Sequence, residues 1–232
     1  MIIKSLIDED FINYKKPSMF IAFPNCGFKC DFECGQAVCQ NSSLAREPNI
    51  EISKEAVVER YLKNPISQAF VFGGMEPFDS LESLVPLINC IRNKYNCNDD
   101  IVIYTGYSEA ELKFDEELPQ HSHYKYICES FSNIIIKYGR FIPNCEEHYD
   151  EVLGVILKSP NQYAKRATKG DIMTIKLNPD EEFVKEFKIA LKENAGYCPC
   201  RKEKTPDTKC MCKEFREMEE GQCHCGLYIK SR

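Results

Sequence analysis

The chain has 232 residues, fourteen cysteines and a formal net charge of -6, and this acidic balance argues against broad nucleic-acid binding. Residues 1–16 mix acids and bases without the apolar core of a signal peptide, and no later run is long enough to cross a membrane. We therefore expect a cytoplasmic protein, in which so many cysteines indicate metal or iron–sulfur sites rather than disulfides.

A strand predicted over Met19–Phe23 runs into a loop rich in cysteine. The pair Cys26-x-x-x-Cys30, with a third cysteine close behind, resembles the radical S-adenosylmethionine (SAM) enzymes. In that family three cysteines hold a [4Fe–4S] cluster, and the open iron binds SAM. The resemblance implies Cys26 and Cys30 as ligands and leaves Cys34 and Cys39 as alternatives for the third. Cys39 is favoured because the dipeptide Gln-Asn follows it, as often happens where that family's motif closes.

A second strand, predicted over Ala69–Phe72, ends in Gly73-Gly74-Met75-Glu76-Pro77. Glycines at the end of a buried strand let backbone approach a ligand. The segment resembles the Gly-Gly-Glu-Pro motif of radical SAM enzymes, which holds the amino end of the methionine moiety through backbone carbonyls and the carboxylate. The residues implied are Gly73, Gly74, Met75 and Glu76. An ordinary strand-to-helix turn is the alternative.

Strands and helices alternate through the middle of the chain, as in parallel α/β folds. A helix is predicted from Ser53 to Lys63 with Ser53 as its N-cap, and another from Ser80 to Tyr95. Further strands are predicted over Ile101–Tyr104, Asn133–Lys137, Val152–Leu157 and Ile172–Leu177. The expected fold class is α/β: a partial (β/α) barrel of radical SAM type, followed by a small, cysteine-rich, mostly helical cluster-binding domain.

Short motifs narrow the resemblance to one branch of these enzymes. They are Tyr104-Thr105-Gly106-Tyr107, Gly139-Arg140-Phe141 and Ser159-Pro160-Asn161-Gln162. Similar segments recur in the activating enzyme of the anaerobic ribonucleotide reductase, and the resemblance covers about residues 18 to 178. Parallel α/β proteins bind ligands at strand ends. We therefore assign Thr105, Ser159 and Asn161 to the ribose and carboxylate of SAM.

A helix is predicted to begin at Asn178-Pro179-Asp180, with Pro179 in its first turn, and to end before Gly196. Its apolar stripe indicates a face packed on a core, and consists of Phe183, Phe187, Ala190 and Leu191. The expected organisation is a radical SAM domain over 1–178, a connecting helix over 179–196 and an iron–sulfur domain over 197–232. A last domain of this size buries too little apolar surface to be stable alone, and we therefore expect a bound cluster to stabilise it.

Three Cys-x-Cys pairs fill the end of the chain: Cys198-Pro199-Cys200, Cys210-Met211-Cys212 and Cys223-His224-Cys225. Successive side chains diverge, so the pairs offer several thiolates to one centre and leave others beside it. Four sulfurs for a [4Fe–4S] cluster and two for a redox disulfide is the natural division. The segment resembles the catalytic subunit of ferredoxin:thioredoxin reductase, whose middle pair is Cys-Pro-Cys.

This second resemblance implies a role for each residue of the pairs. The implied ligands of a second [4Fe–4S] cluster are Cys198, Cys210, Cys212 and Cys223. The implied catalytic residues are Cys200 and Cys225, which form an active-site disulfide, and His224, the nearby proton donor. A zinc module is the alternative, although zinc sites favour Cys-x-x-Cys knuckles that this segment lacks. A disulfide scaffold is the third interpretation.

Together the resemblances imply a radical SAM oxidoreductase with two [4Fe–4S] clusters and SAM as cofactors. The expected partners are an anaerobic ribonucleotide reductase or another glycyl-radical protein, and a ferredoxin, flavodoxin or thioredoxin-like redox protein. The C-terminal module would supply electrons or thiols. Two alternatives stay open. One is an electron-transfer or disulfide-reducing iron–sulfur protein without radical chemistry, and the other is a peptide-modifying radical enzyme with auxiliary clusters.

Overall fold

The structure is a computed structural model that describes residues 1–167, 174–218 and 220–231. It divides into two compact units, Met1–Lys169 and Gly170–Arg232. None of the helices in the described ranges combines the length and apolar character that a bilayer-spanning segment needs.

The first unit is built from short strands and helices. Its strands are β1 (Ile2–Ile3), β2 (Ser5–Asp10), β3 (Ser18–Phe23), β4 (Ile50–Glu51), β5 (Ala69–Gly74), β6 (Asp100–Tyr104), β7 (Ile134–Tyr138), β8 (His148–Asp150), β9 (Val155–Leu157) and β10 (Tyr163–Ala167). Its helices are α1 (Lys29–Cys34), α2 (Ser42–Arg46), α3 (Lys54–Lys63), α4 (Leu81–Asn89), α5 (Glu109–Phe114) and α6 (Pro119–Ser130). A 3-10 turn over Pro77–Asp79 follows β5, and a π-helical turn over Cys90–Lys94 extends α4.

A six-stranded mixed sheet forms the centre of the first unit, in the order β10-β7-β6-β5-β3-β2. Strands β3, β5, β6 and β7 run parallel, and the edge strands β2 and β10 are antiparallel to their neighbours. The inner strands are apolar and buried on both faces, as parallel strands are when the chain covers both sides of a sheet. The unit is therefore a mixed α/β fold, and the partial barrel stays a prediction.

The predicted helices of the first unit are present. Ser53 caps α3 as predicted, because its Oγ accepts a hydrogen bond from the N–H of Ala56 at 3.1 Å. The helix predicted over Ser80–Tyr95 is α4 with its π-helical extension. The buried face of α4 includes Leu84, Leu87 and Ile88, which lie at helical spacing.

The second unit combines helices with a small sheet. Its elements are β11 (Thr174–Leu177), α7 (Glu181–Glu193), α8 (Lys213–Glu217), β12 (Gly221–Gln222) and β13 (Tyr228–Ser231), with a 3-10 turn over Pro206–Thr208. The strands pair antiparallel in the order β11-β13-β12. The prediction of a mostly helical domain did not include this sheet.

Helix α7 begins slightly later than the sequence predicted. Its N-cap is Asp180, whose Oδ1 accepts hydrogen bonds from the N–H groups of Glu182 and Phe183 at 3.1 and 3.0 Å. The carboxylate of Asp180 satisfies the free N–H groups of the first turn of α7, so the helix begins after Asp180. Pro179 precedes the helix instead of occupying its first turn.

The predicted apolar stripe of α7 packs within the second unit. Phe183, Phe187 and Leu191 contact a buried cluster made of Val184, Cys212, Phe215, Cys223 and Leu227. Two of the predicted cluster ligands are thus themselves part of the core of this unit. The stripe is core, as predicted.

Two predicted strands differ from the structure. Val152–Leu157 is extended only over β9, because the Oδ1 of Asp150 accepts the N–H of Leu153 at 2.8 Å and Gly154 has a φ of 75°, which makes a turn. Strand β9 pairs with β8 in a separate hairpin. Of Ile172–Leu177, residues 172 and 173 lie outside the described residues. The rest is β11, which pairs with β13 and not with the central sheet.

Candidate metal centres

The carboxyl ends of the four parallel strands lie along one edge of the central sheet, where ligands bind in open α/β sheets. The segment that follows β3, residues 24–41, is the cysteine loop. Strands β3 and β5 stay joined beyond their ends, because the N–H of Glu76 donates to the carbonyl of Asn25 at 2.8 Å. The cysteine loop and the glycine segment after β5 are therefore neighbours.

Helix α1 lies inside the cysteine loop and carries Cys30 in its first turn and Cys34 at its end. Phe28, just before the helix, has a φ of 51°, and its N–H donates to the Sγ of Cys26 at 3.3 Å. This turn sets Cys26 beside the start of the helix. Gly35 ends the helix with a φ of 65°, so the chain changes direction directly after Cys34.

The chain returns to α1 at Cys39. The Oδ1 of Asp31, which follows Cys30, accepts the N–H of Cys39 and that of the residue before it, both at 2.7 Å. Two residues further on, the Nδ2 of Asn41 donates to the carbonyl oxygen of Gly74 at 2.5 Å. These contacts tie the segment of Cys39 both to the helix that carries Cys30 and to the glycines after β5.

The thiols of the cysteine loop influence one another. Burial raises the pKa of Cys26 to about 12, and the nearby charges of Glu76, Asp79 and Cys30 act in the same direction. Burial also raises the pKa of Cys30, and Cys39 adds to the effect, while a backbone hydrogen bond and Arg140 oppose it. Thiols of this kind keep their protons unless a metal replaces them. Thiolates are the ligands of iron–sulfur clusters, so this donor set fits one.

The two glycines that follow the apolar part of β5 lie close to the neighbouring strand, and at Gly74 both packing and backbone conformation require a glycine. Gly74 has a φ of 80°, and a Cβ there would lie 2.6 Å from the Cβ of Ala22 on β3. A Cβ on Gly73 would lie 3.1 Å from the Phe20 ring. Because both contacts are with the neighbouring strand, close pairing of β3 and β5 alone accounts for these glycines.

Glu76 is buried at the end of the glycine segment. Its Oε1 accepts hydrogen bonds from the Thr105 hydroxyl at 2.8 Å and the Phe78 N–H at 3.1 Å, and its Oε2 accepts the Gly106 N–H at 2.8 Å. Burial raises the pKa of Glu76 to about 7, although the three hydrogen bonds oppose the rise. A carboxylate offers about four acceptor positions, so one on Oε2 remains. Thr105 therefore positions Glu76.

Lys137 is a site residue that the sequence analysis missed. It lies on β7 and is 6% exposed, and among the described residues its ammonium donates one hydrogen bond, to the carbonyl of Gly139 at 2.9 Å. Burial lowers its pKa to about 8, while the charges of Glu76 and Cys30 oppose the change. An ammonium has three donors, so two remain. The signal available was a lysine that closes a run of three isoleucines.

Ser159 and Asn161 hold the loop that follows β7. The Ser159 hydroxyl donates to the carbonyl of Ile142 at 3.1 Å and accepts the N–H of the same residue at 2.8 Å. The Nδ2 of Asn161 donates to the carbonyl of Arg140 at 2.9 Å. Both side chains therefore have a positioning role in the chain, and their contact with SAM stays a prediction.

The cysteines of the second unit form two overlapping groups. The sulfur atoms of Cys198, Cys200 and Cys225 all lie within 4.8 Å of one another. Burial raises the pKa of Cys225, and hydrogen bonds with the other two thiols add to the effect. Burial raises the pKa of Cys210 to about 11, with additional contributions from Cys198, Cys223 and Cys212. Cys198 thus belongs to both groups.

A small concavity lies among the cysteines of the second group. Its lining residues are Phe187, Cys198, Cys210, Met211, Cys212, Phe215, Cys223, Cys225, Leu227 and Tyr228. All four predicted cluster ligands and Cys225 therefore face one small space, whereas Cys200 is exposed and outside this lining. His224 is also exposed.

A family model described as "4Fe-4S single cluster domain" matches residues 19–144, which is more than half of the 232 residues. The matched range begins in β3 and ends in the loop after β7, so it contains the cysteine loop, Glu76, Thr105 and Lys137. No curated protein and no solved structure matches the chain.

Proposed function

The chain belongs to the family of 4Fe-4S single cluster domains, and from this premise we propose that its first unit binds a [4Fe–4S] cluster and SAM and generates a 5′-deoxyadenosyl radical. The observation that carries the proposal is the combination, at one sheet edge, of the cysteine loop with a buried carboxylate and a buried ammonium. When bound, the cluster supplies one electron that cleaves the sulfonium of SAM into methionine and the radical.

Cys26, Cys30 and Cys39 are the proposed ligands of this first cluster. Asp31 supports Cys39, because its carboxylate holds the Cys39 backbone against the helix that carries Cys30. The charge of Cys39 also contributes to the raised pKa of Cys30. Cys34 is the last residue of α1 and is left without a ligand role.

Glu76 and Lys137 suit the two charged groups of the methionine moiety. The free acceptor position on Glu76 can receive the α-ammonium, and the two free donors of Lys137 can bind the α-carboxylate. Both side chains are buried, so a zwitterion would neutralise charges that are otherwise poorly solvated. In this proposal Lys137 binds the carboxylate of SAM, which the sequence analysis had assigned, together with the ribose, to Thr105, Ser159 and Asn161.

The second unit is proposed to hold another [4Fe–4S] cluster through Cys198, Cys210, Cys212 and Cys223. A tetrahedral zinc site needs sulfurs about 4 Å apart, given Zn–S bonds of about 2.3 Å. Among the described residues the three sulfurs that lie within 4.8 Å of one another are those of Cys198, Cys200 and Cys225, and only the first belongs to the proposed ligand set. The proposal of a cluster therefore rests on the small space that all four proposed ligands line. Cys200 and Cys225 are the proposed disulfide, next to the ligand Cys198.

The proposed substrate is a glycine of an anaerobic ribonucleotide reductase or another glycyl-radical protein, as the motifs near Thr105, Arg140 and Asn161 suggest. The second unit would then supply electrons or thiols, after reduction by a ferredoxin, flavodoxin or thioredoxin-like protein. A disulfide-reducing protein without radical chemistry is the second candidate. It is favoured by the exposed thiol of Cys200 beside two other sulfurs.

The deciding experiment measures SAM cleavage by anoxically reconstituted protein after chemical reduction. We expect equal amounts of 5′-deoxyadenosine and methionine by mass spectrometry, and none from the Cys30→Ala protein. The Cys128→Ala protein is the control, because Cys128 is a buried thiol on α6 without a proposed ligand role. Iron-loaded protein that reduces a disulfide but releases no 5′-deoxyadenosine would overturn the proposal in favour of the second candidate.

A further inference from the structure

Asp79 joins three segments of the first unit. It ends the 3-10 turn after β5, and its Oδ2 accepts the N–H of Gly27 in the cysteine loop at 3.0 Å. Its Oδ1 accepts hydrogen bonds from the hydroxyl of Tyr107 at 2.8 Å and from the Nε2 of Gln120 at 3.0 Å. The carboxylate is therefore bonded directly to the chain between two proposed ligands.

Tyr107, which donates a hydrogen bond to Asp79, also contacts the chain near Cys30, at the other end of the segment between Cys26 and Cys30. Its ring is 4% exposed and lies under the Nζ of Lys29, which is 4.3 Å from the ring centroid. Lys29 directly precedes Cys30. Asp79 and Tyr107 thus hold residues 27 and 29 together, one by a hydrogen bond and the other by a cation–π contact. The spacing of Cys26 and Cys30 is fixed from both sides.

The hydrogen bonds of Asp79 do not neutralise its charge. All three donors are uncharged groups: a backbone amide, a phenol and a side-chain amide. Among the described residues the ion pairs include none to Asp79. A cluster becomes more negative on reduction, and a fixed carboxylate that is hydrogen-bonded to the residue next to a proposed ligand opposes that change.

We propose that Asp79 is a positioning residue of the cysteine loop and that it lowers the reduction potential of the cluster bound there. The inference rests on the function proposed for the first unit. A lower potential makes the reduced cluster a stronger electron donor, which cleavage of a stable sulfonium requires. Asp79 has no role in holding SAM in this proposal.

Two measurements test the two parts of the proposal. The first is the alkylation rate of Cys26 in metal-free protein, read by mass spectrometry. Because the charge of Asp79 also raises the pKa of Cys26, this rate reports the order of the loop only where Tyr107→Phe, which keeps that charge, changes it as well. The second is the midpoint potential of the first cluster in reconstituted full-length protein, followed by electron paramagnetic resonance. The signal that Cys30→Ala removes identifies that cluster.

Asp79→Asn should raise the potential and speed Cys26 alkylation severalfold. Tyr107→Phe keeps the charge but removes one support, so it should speed alkylation and leave the potential closer to that of the wild type. Glu82→Gln is the matched control, because Glu82 is an exposed carboxylate near the same turn that accepts only a 3.5 Å hydrogen bond from Asn25. It should change neither quantity.

Faster alkylation without a positive shift in Asp79→Asn would overturn the proposal, since Asp79 would then be a structural residue only. An equal shift in Glu82→Gln would overturn it as well, because any nearby carboxylate would then serve. Wild-type protein that binds no cluster at this site would refute the proposed function instead. In that case unchanged Cys26 alkylation in Asp79→Asn would still reject the positioning role.

Discussion

The two cysteine sites of this chain differ in what holds them. In the first unit the cysteines of the loop are partly exposed. The loop is tied to the sheet by the hydrogen bond that Asn41 donates to the carbonyl of Gly74 and to the turn after β5 by the one that Asp79 accepts from Gly27, while Asp31 closes the loop on itself. In the second unit Cys212 and Cys223 are buried members of the core itself. The first site lies on a loop outside the core of its unit, whereas the second site contributes cysteines to the core of its unit.

This contrast separates two uses of a metal. A small module whose core contains the ligands gains its folding free energy from the bound metal. A site attached to a large apolar sheet can lose its metal and keep its structure. The contrast predicts that metal removal affects the two units very unequally.

The largest expected effect is on the structure of the second unit. Stripping iron from reconstituted protein should abolish hydrogen-exchange protection in α7 and α8 and leave β5, β6 and β7 protected, because the proposed ligands Cys212 and Cys223 are part of the buried core of the second unit. Cys212→Ala should have the same effect, and Cys128→Ala, which removes a buried thiol of the first unit, should not. If α7 keeps its hydrogen-exchange protection after iron removal, the proposed difference between the two cysteine sites is wrong.

The next effect concerns ligand identity in the first unit. Cys39→Ala should abolish release of 5′-deoxyadenosine and lower the iron content from about eight to about four atoms, because two [4Fe–4S] clusters become one. Cys34→Ala should retain activity and iron. If Cys34→Ala loses activity and iron while Cys39→Ala keeps them, Cys34 is the third ligand. Stoichiometric zinc in place of half the iron would make the second site a zinc module.

A smaller effect is expected from the buried ammonium. Lys137→Met keeps most of the side-chain volume but removes the charge, so SAM affinity should fall about a hundredfold, the size of a lost buried charge contact of about 3 kcal/mol. Lys165→Met is the control, because Lys165 is an exposed lysine on β10 that pairs with Glu109. Isothermal titration with reconstituted protein measures both. Equal affinity in wild type and Lys137→Met would remove Lys137 from the site.

An effect of at most similar size is a pH dependence of stability that Glu76 gives the first unit. Its pKa is raised to about 7, so the folded state binds this proton more tightly than the unfolded chain. The resulting stabilisation is complete at low pH and is lost as the pH rises toward about 7, by up to about 3 kcal/mol. Denaturant unfolding of the metal-free protein at pH 5 and pH 8 should show this fall, and Glu76→Gln should reduce it. If the free energy of unfolding depends on pH in the same way in Glu76→Gln as in wild type, Glu76 is not the cause of this dependence. Glu82→Gln is the control and should behave as wild type.

Local sequence patterns predicted those parts of the fold that local forces determine. The apolar run Ala69–Phe72 and the Ser53 cap are examples, because burial of a strand and capping of a helix depend on adjacent residues. Strand β10 was missed because it is a partly exposed edge strand whose sequence, Tyr-Ala-Lys-Arg-Ala, has little apolar character. Its structure comes from antiparallel pairing with the distant β7.

The same limit applied to the candidate site. The glycine segment was recognisable from its sequence, and its residues lie at the sheet edge. The burial of Lys137 depends on neighbours from other strands, and the bonds of Ser159 to Ile142 depend on a loop far from it in sequence. Neither is visible until the chain is folded. The predicted SAM contacts of Ser159 and Asn161 stay predictions, and the supporting hydrogen bonds that both side chains make to the loop after β7 could not be foreseen from their chemistry alone.

The hydrogen bonds of Asp31 close the base of the loop between Cys30 and Cys39. A loop whose two ends are held together can gain or lose residues at its tip at little cost in free energy, because the entropy of loop closure changes slowly with loop length. Phe32, in this stretch, is 88% exposed. The carboxylate of Asp31, one position after the second cysteine, holds the backbone of Cys39 at the helix of Cys30, so the number of residues between the two cysteines does not by itself set how far apart they lie.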